Sequence, residues 1–576
     1  MLKLFKKLKK FKVQVAGVLI SVLLQSLCDL YIPALMADIV DNGILKGDVS
    51  YVISIGIKML VFTLGIVVFS IMSNFLSSLV SAKFSEKLRS EIFEQVEKFS
   101  LDEFNKIGTA SLITRSTNDV TQIQTVVLVI LRMMVMAPIM AIGGIFMSIK
   151  TDVGLSWVLM ISLPAIVGLI ALVLKFGGKL FASMQMKLDK LNLVMRENLT
   201  GIRVIRAFDR IDYEKGRFKT ANDDLTETAI KANKIMAFLM PGIMLILNFT
   251  TISIVWFGAR RINLGQMQVG SLMAYIQYAS LILFSFVMMS MLFIMIPRAS
   301  ASAKRINEVL ETEISIKDAS QLKYTDDKLK GQIEFKNVSF SYYGADEPVL
   351  NYISFKAVKG ETTAIIGGTG SGKSTLINLI PRFYNVTEGE ILIDGVNIKD
   401  MPQHYLRSKI GLIPQKAVLF SGTIRENIRY SKEDATDDEI NHALDIADAT
   451  EFVSEMENGL DTLIAQGGKN VSGGQKQRLS IVRALARKPE IYIFDDSFSA
   501  LDSKTDAKVR NSLLSETKNS TVIIVAQKIT SIINADRIIV LDKGIISGIG
   551  THKELLASND IYREMASSQL REEELQ

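Results

Sequence analysis

The chain has 576 residues, enough for roughly three to four domains, with 48% apolar residues and a formal charge of +6. Mean hydropathy is positive, +0.27, although a fifth of the residues are charged. A single cysteine, Cys28, excludes an internal disulfide and a cysteine-based metal cluster. The positive charge is not a nucleic-acid signal, because the basic residues gather beside apolar spans.

Lys3, Lys6, Lys7, Lys9, Lys10 and Lys12 precede the first apolar run, as expected of a cytoplasmic terminus. No small-residue cleavage site follows Val13–Leu27, so this start does not read as a signal peptide. Six segments have the roughly 20 apolar residues that a bilayer crossing needs: about 13–40, 51–80, 126–147, 154–174, 235–258 and 267–296. An even number of crossings places both termini on the cytoplasmic side. The links Asp41–Ser50, Lys150–Asp152 and Arg260–Gln266 are short and external, although Arg260 and Arg261 breach the charge rule there. The links Ser81–Thr125 and Lys175–Lys234 are long, charged and helix-friendly. Within them Ser85–Phe99 and Leu188–Leu199 repeat apolar residues at helical spacing, which predicts spans continuing into the cytosol as amphipathic helices. Reversals near Gly108–Arg115 and Gly201–Arg210 make two cytosolic hairpins.

Asp29, Asp38 and Arg132 are costly against lipid and predict a buried pairing, a helix end or a watery path. Methionines at 133, 134, 136, 140, 288, 289, 291 and 295 suit an adaptable apolar cavity or a lipid-facing surface. From Pro297 the pattern turns polar, and Glu313–Lys330 reads as a linker. After Gly331 short β-branched runs alternate with helical stretches, the pattern of an α/β domain. The predicted division is 1–312 membrane domain, 313–331 linker, 332–568 α/β domain and 569–576 tail.

The α/β domain carries the most specific motif. The run Gly367-Gly368-Thr369-Gly370-Ser371-Gly372-Lys373-Ser374-Thr375 follows the apolar strand Thr363-Ala364-Ile365-Ile366 and opens a helix. Glycines let backbone N–H groups converge on a phosphate, the lysine reaches the β/γ-phosphates, and the hydroxyl serves Mg²⁺. The chain is therefore expected to bind a nucleoside triphosphate. About a hundred residues on comes Val471-Ser472-Gly473-Gly474-Gln475-Lys476-Gln477-Arg478, then the strand Ile491-Tyr492-Ile493-Phe494 ending in Asp495.

This ordered set resembles the nucleotide-binding domain of ATP-binding-cassette (ABC) proteins over residues 332–568. With six preceding spans the resemblance extends to an ABC exporter half-transporter: an all-α six-helix membrane domain followed by an α/β nucleotide-binding domain. It implies ATP and Mg²⁺ as ligands, with Tyr342 stacking on adenine and Gly367, Gly368, Thr369, Gly370, Ser371, Gly372, Lys373, Ser374 and Thr375 around the phosphates. Ser374, Gln415 and Asp495 would serve Mg²⁺, the aspartate through a bound water. Ser472, Gly473, Gly474 and Gln475 would cap the nucleotide held by an opposite subunit, and Asp502 belongs to the loop linking the two sites. The hairpin tips match the helices through which such domains drive their spans. One nucleotide-binding domain implies a second half-transporter as partner.

Two positions depart from the family. The residue after Asp495 is Asp496 where glutamate is usual as general base, and Gln527 follows Val522–Ala526 where a switch histidine is usual. The chain's three histidines, His404, His442 and His552, lie elsewhere. The resemblance then implies the degenerate-site subunit of a bacterial heterodimeric multidrug exporter in the plasma membrane, moving a small hydrophobic or amphipathic substrate. A homodimeric lipid or peptide exporter with slow hydrolysis, and an ATP-gated channel or regulatory subunit, remain the alternatives. No peptidase-like domain precedes the spans and no regulatory domain follows residue 568, which disfavours specialised forms.

Overall fold

The computed structural model describes residues 1–318 and 330–570, and divides into two compact units. The predicted linker falls largely, and the predicted tail mostly, outside the described residues.

The first unit comprises Met1–Val96 and Ala110–Glu311. Among the described residues, six helices are long and apolar enough to cross a membrane. The first five predicted spans each lie inside one of them, and the sixth, 267–296, begins two residues before its helix. They are built on α1 (Lys12–Asp38), α2 (Val49–Val96), the continuous helix containing residues 109–151, Ser156–Thr200, Ile211–Asn263 and Val269–Glu311. The helices outrun the bilayer, as their amphipathic extensions required. In the chain between α2 and the third long helix lies a short helix, α3 (Leu101–Ile107). The long helices that follow are numbered α4 (Thr109–Thr151), α5 (Ser156–Thr200), α7 (Ile211–Asn263) and α8 (Val269–Glu311), with the short α6 (Ile202–Ala207) between α5 and α7.

Outward-facing Leu60, Leu64, Ile71 and Phe75 of α2 are exposed, which a hydrocarbon solvent demands. The inner faces carry small residues. Ser73, Ser77, Ser81 and Ser85 recur every fourth position of α2 and are all buried. Gly143 and Gly144 let α4 approach its neighbours: added Cβ atoms would stand 2.2 Å from Leu30 Cδ1 and 2.6 Å from Ile282 Cγ1.

Of the ionisable groups in the spans, Asp38 is settled by hydrogen bonding. Asp38 accepts from Asn42 Nδ2 at 2.7 Å and from Tyr51 OH at 2.8 Å, so it is a structural helix-end group. Arg261 explains part of the external charge breach, because its Nε donates to buried Asp152 Oδ2 at 3.0 Å. Arg132 sits in a π-helical turn, Ile130–Met134, and Asp29 is half-buried on α1. The methionines divide: Met140 is buried, Met134 is exposed and Met133, Met136, Met288, Met289 and Met295 are half-buried, while the Met291 side chain lies outside the described ones. Buried Asp41 caps α8, its carboxylate accepting from Gly270 N at 2.6 Å and Ser271 N at 3.1 Å. Asp41→Ala is expected to cost about 1–2 kcal/mol, the upper range for a lost N-cap, read as a lowered melting temperature of the detergent-purified protein.

The first predicted reversal needs correction. The chain turns at α3, N-terminal to Gly108–Arg115. A capping box between Ser100 and Glu103 starts this helix, and Gly108, with φ 81°, ends it. Arg115 is already inside α4, donating to Arg305 O at 3.0 Å and pairing with Glu308 at 2.9 Å. The second reversal falls at α6, flanked by Gly201 and Arg210 as expected.

The second unit comprises Glu97–Thr109 and the chain from Thr312 onward. It therefore includes α3, whose Leu101 packs on the apolar core and whose Glu103 accepts from Ser315 N at 3.2 Å. An antiparallel sheet contains β1 (Ile333–Phe340), β2 (Leu350–Ala357), β4 (Glu388–Ile393) and β5 (Val396–Asn397) in the order β2-β1-β4-β5. A six-stranded sheet contains β3 (Thr362–Ile366), β6 (Ile410–Ile413), β9 (Ile491–Asp495), β10 (Thr521–Val525), β11 (Arg537–Asp542) and β12 (Ile545–Gly550), ordered β12-β11-β3-β10-β9-β6. The run from β11 to β6 is parallel, and its strands are buried nearly throughout, hence their unbroken β-branched sequences. A short pair, β7 (Gly422–Thr423) with β8 (Leu463–Ile464), completes the pairing.

Candidate nucleotide site

Parallel strands end together, so β3, β9 and β10 deliver their C-terminal residues to one edge of the sheet. From β3 the phosphate loop runs Gly367–Gly372 into the helix α9 (Lys373–Leu379). Gly370 and Gly372 adopt φ of 81° and 99°, which side chains resist. At Gly367 a Cβ would stand 2.1 Å from Leu541 O, so the loop must pass this strand without one. Lys373 Nζ donates to Gly367 O and Gly368 O, each at 2.7 Å, and reaches Ser371 Oγ at 3.4 Å. Burial lowers the Lys373 pKa, opposed by the carboxylates of Asp496 and Asp495. The ammonium is thus held over the loop where the amides converge. Thr369 belongs to the same turn, and Thr375 Oγ1 shares a 2.9 Å hydrogen bond with Tyr342 OH. The Tyr342 ring is half-exposed and meets Phe340 and Tyr384 edge-on. The hydroxyl fixes the ring beside α9 and leaves part of one surface free for a base.

At the end of β9, Asp495 Oδ1 stands 3.5 Å from Ser374 Oγ. Burial, then the charge of Asp496, raises the Asp495 carboxyl above the usual aspartate range. A hydroxyl, a carboxylate and the nearby Gln415 amide oxygen are hard donors that fit Mg²⁺ sharing phosphate oxygens. A divalent cation would also relieve the crowding of two carboxylates.

Asp496 is where the geometry is most restrictive. Its φ is 47°, its N–H donates to Val525 O at 2.9 Å, and Ser499 Oγ donates to its carbonyl at 2.8 Å. The side-chain oxygen Oδ2 accepts from Gln527 Nε2 at 2.9 Å and from Gln415 Nε2 at 3.3 Å. The two unusual residues are thus hydrogen-bonded to each other across adjacent strand ends. A prediction follows: Gln527→Ala frees one lone pair of Asp496 and weakens nucleotide retention by no more than about fivefold, the range of one hydrogen bond, checked by ATP titration.

Ser472 caps α10 (Gly473–Arg487) in a reciprocal box: Gln475 N donates to Ser472 Oγ at 3.2 Å, and Ser472 N to Gln475 Oε1 at 2.9 Å. This uses the ends of the signature segment to set the helix start and leaves the N–H groups of Gly473 and Gly474 directed off it. Asp502 is likewise a cap, accepting from Lys504 N at 3.2 Å and Thr505 N at 3.0 Å at the start of α11 (Ser503–Glu516). These bonds, Thr505's first, hold its carboxyl below the usual range. The structure thus gathers Ser374 with Asp495, and Gln415 and Gln527 with Asp496, through hydrogen bonds, Lys373 through the charges of the two aspartates, and Tyr342 through Thr375. Among the described residues no hydrogen bond ties Ser472–Gln475 to that group. Sequence reasoning missed Tyr384, which receives Tyr342 on one side and Asn105 Nδ2 at 3.4 Å on the other. No local signal marks it, since the partners are far apart in the chain.

A triphosphate cradle on a chain with membrane-length helices defines a transport ATPase. Comparison with known proteins narrows that class: residues 15–287 match the ABC transporter transmembrane region and residues 350–499 the ABC transporter domain. An uncharacterized ABC transporter ATP-binding protein of Mycobacterium tuberculosis is 43% identical, covering 98% of this chain and 97% of the relative. An ATP-dependent lipid A-core flippase of Mannheimia succiniciproducens is 31% identical with the same coverage of each. A bacterial Atm1-family ABC exporter with ATP bound superimposes with a TM-score of 0.81 at 25% identity, over 97% of this chain and 99% of that one. The chain belongs to the ABC transporters. It is an ATP-driven exporter half-transporter, a multi-pass membrane protein with a cytoplasmic ABC domain.

Proposed function

We propose that this chain is the degenerate-site half of a heterodimeric exporter of hydrophobic or amphipathic substrates, multidrug in type, in the plasma membrane. The reading is carried by the Asp496 carboxylate, which accepts from both Gln527 and Gln415 on one oxygen. A general base needs a lone pair aimed at the attacking water. Aspartate falls about 1–1.5 Å short of the glutamate it replaces, and misplacement of about 1 Å costs on the order of 10²-fold. Gln527 donates a hydrogen bond but carries no charge towards a γ-phosphate. The pair therefore holds nucleotide and turns it over slowly.

Lys373 and the loop amides bind the phosphates, Tyr342 orients the base, and Ser374, Gln415 and Asp495 hold the metal. Mg²⁺ would neutralise phosphate charge there. Ser472–Gln475 complete the competent site, which lies on the partner's nucleotide-binding domain. ATP at both interfaces biases a two-state equilibrium towards closed nucleotide domains. Since α3 belongs to the ABC unit and its flanking helices to the membrane unit, closure passes into the spans through continuous backbone. Hydrolysis at the partner's site resets the cycle.

The test is a pair of substitutions in the assembled transporter. Asp496→Asn should change ATP turnover by less than about twofold, and the chain alone should bind ATP with little phosphate release. Near-complete loss of turnover in Asp496→Asn would refute the degenerate assignment. A homodimeric lipid exporter is the second reading, favoured by the similarity to lipid A-core flippases. The subunit composition of the purified complex separates the two.

A further inference from the structure

The N-terminal segment Leu2–Phe11 is a short helix running into a 3-10 turn, and it packs on α2 close to where α1 begins. Two of its lysines find carboxylates: Lys3 pairs with Glu311 at 2.8 Å, and Lys7 with Glu91. The Glu91 partnership is shared, since Lys87, one turn back on α2, lies 3.7 Å from its other oxygen. Lys10 adds its charge beside Lys87, and with burial and Lys7 it lowers the Lys87 pKa against the pull of Glu91. Lys7 and Lys87 thus share one carboxylate, with the charge of Lys10 beside them. Lys6, Lys9 and Lys83 stand exposed on the same two elements, and Lys12 at the start of α1.

Two ammonium groups about 4 Å apart repel by roughly 1 kcal/mol in water and several times that near a protein surface. The cluster keeps an excess positive charge that Glu91 does not neutralise. Its height is set by the chain: Val13, three residues after Lys10, is the first residue of the apolar span and is 73% exposed. Lys10 therefore lies within one helical turn of the hydrocarbon boundary, the level of the inner-leaflet phosphates. Leu4 is buried and anchors the segment, so the lysines are presented rather than trailing.

We propose that Lys7 and Lys87, with Lys10 beside them, form a binding site for the phosphate of an acidic phospholipid of the cytoplasmic leaflet. The lipid phosphate meets the positive charge that Glu91 leaves unbalanced and ties the N-terminal segment to α2. Acidic lipid thereby stabilises the membrane unit, and neutral lipid does not.

The test uses the full-length chain in neutral detergent, with melting temperature followed as dioleoylphosphatidylglycerol or dioleoylphosphatidylcholine is added. The glycerol lipid should raise the melting temperature and the choline lipid should not. Lys10→Gln or Lys87→Gln should each raise the half-saturating lipid concentration roughly fivefold, the contribution of one basic residue at an acidic surface. The double variant Lys10→Arg, Lys87→Arg should retain the wild-type response. Inorganic phosphate and glycerol phosphate at millimolar concentration should give no shift. If either soluble anion reproduced the whole effect, the site would be one for a free anion and the lipid assignment would fall. Equal half-saturation in wild type and glutamine variants, or loss of the response in the arginine variant with its ATP-induced stabilisation intact, would overturn the proposal.

Discussion

Gly474→Asp is expected to lower ATP turnover of the assembled transporter at least 100-fold while leaving ATP binding at this chain's own phosphate loop unchanged. The reason lies in how α10 begins. Ser472 and Gln475 satisfy each other, which fixes the first turn but does not engage the N–H groups of Gly473 and Gly474. No partner for those two N–H groups appears among the described residues. They are the donors a γ-phosphate would meet, at the positive end of a 15-residue helix. A Cβ at Gly474 would already stand 3.3 Å from Ala500 O and 3.8 Å from Leu501 Cδ2. A carboxylate beyond it would put negative charge where the phosphate must come. The backbone N–H groups remain, but a carboxylate there bars the anion from them; losing the use of one preorganised donor typically costs 10²–10³ in rate, and repulsion adds to that. The asymmetry with Asp496→Asn is the informative part. One chain then has a dispensable carboxylate in its own site and an indispensable glycine for its partner's. Turnover within about threefold of wild type in Gly474→Asp would mean that the competent site is completed by something else.

How far the sequence announced these features depends on how local they are. The phosphate loop, the strand before it and the signature helix are contiguous, and their glycines and caps were legible residue by residue. The spans were legible because hydrocarbon leaves little choice of composition. The start of α3 was also written locally, as Ser100 and Glu103 at capping-box spacing, yet Gly108 drew attention to the wrong side of the turn. What the sequence withheld is pairing at a distance. Gln527 and Gln415 reach Asp496 across 31 and 81 residues, and Arg261 reaches Asp152 across 109. Such contacts follow from strand order and helix packing, which no period in the sequence encodes. Asp502 shows a third case: its helix cap is a local signal, whereas its place in the loop linking the two sites comes from resemblance alone.

Lys409→Met should destabilise the ABC unit by about 3–5 kcal/mol, the cost of leaving a buried charge without its partner. Lys409 Nζ contacts Asp394 Oδ2 at 2.8 Å and Glu490 Oε2 at 2.7 Å, with the Lys409 and Asp394 side chains 8% and 2% exposed. Asp394 Oδ1 also accepts from Gly331 N at 2.6 Å, and Gly331 O accepts from Thr521 Oγ1 at 2.6 Å. The cluster therefore pins the point where the chain enters β1 from the region of the linker. Burial alone would lower the Lys409 pKa, but its hydrogen bonds to Asp394 and Glu490 outweigh that and lift it above the usual lysine range. A raised pKa contributes stability that is complete below the unfolded lysine value and is lost only as pH climbs beyond it. Wild type therefore keeps this contribution through neutral pH. The variant behaves differently, because Asp394 is already pushed up by burial and loses the cation that opposed this. A carboxyl raised in the folded state favours folding below its unfolded pKa, and that advantage fades as pH rises through the folded one. The stability gap between wild type and Lys409→Met should then narrow on acidification from pH 8 towards pH 4. Asp394→Asn in the Lys409→Met background should remove the pH dependence and recover part of the loss, since no buried charge remains at that position. A gap constant across this range, followed by thermal unfolding, would show that Asp394 does not bear the uncompensated charge.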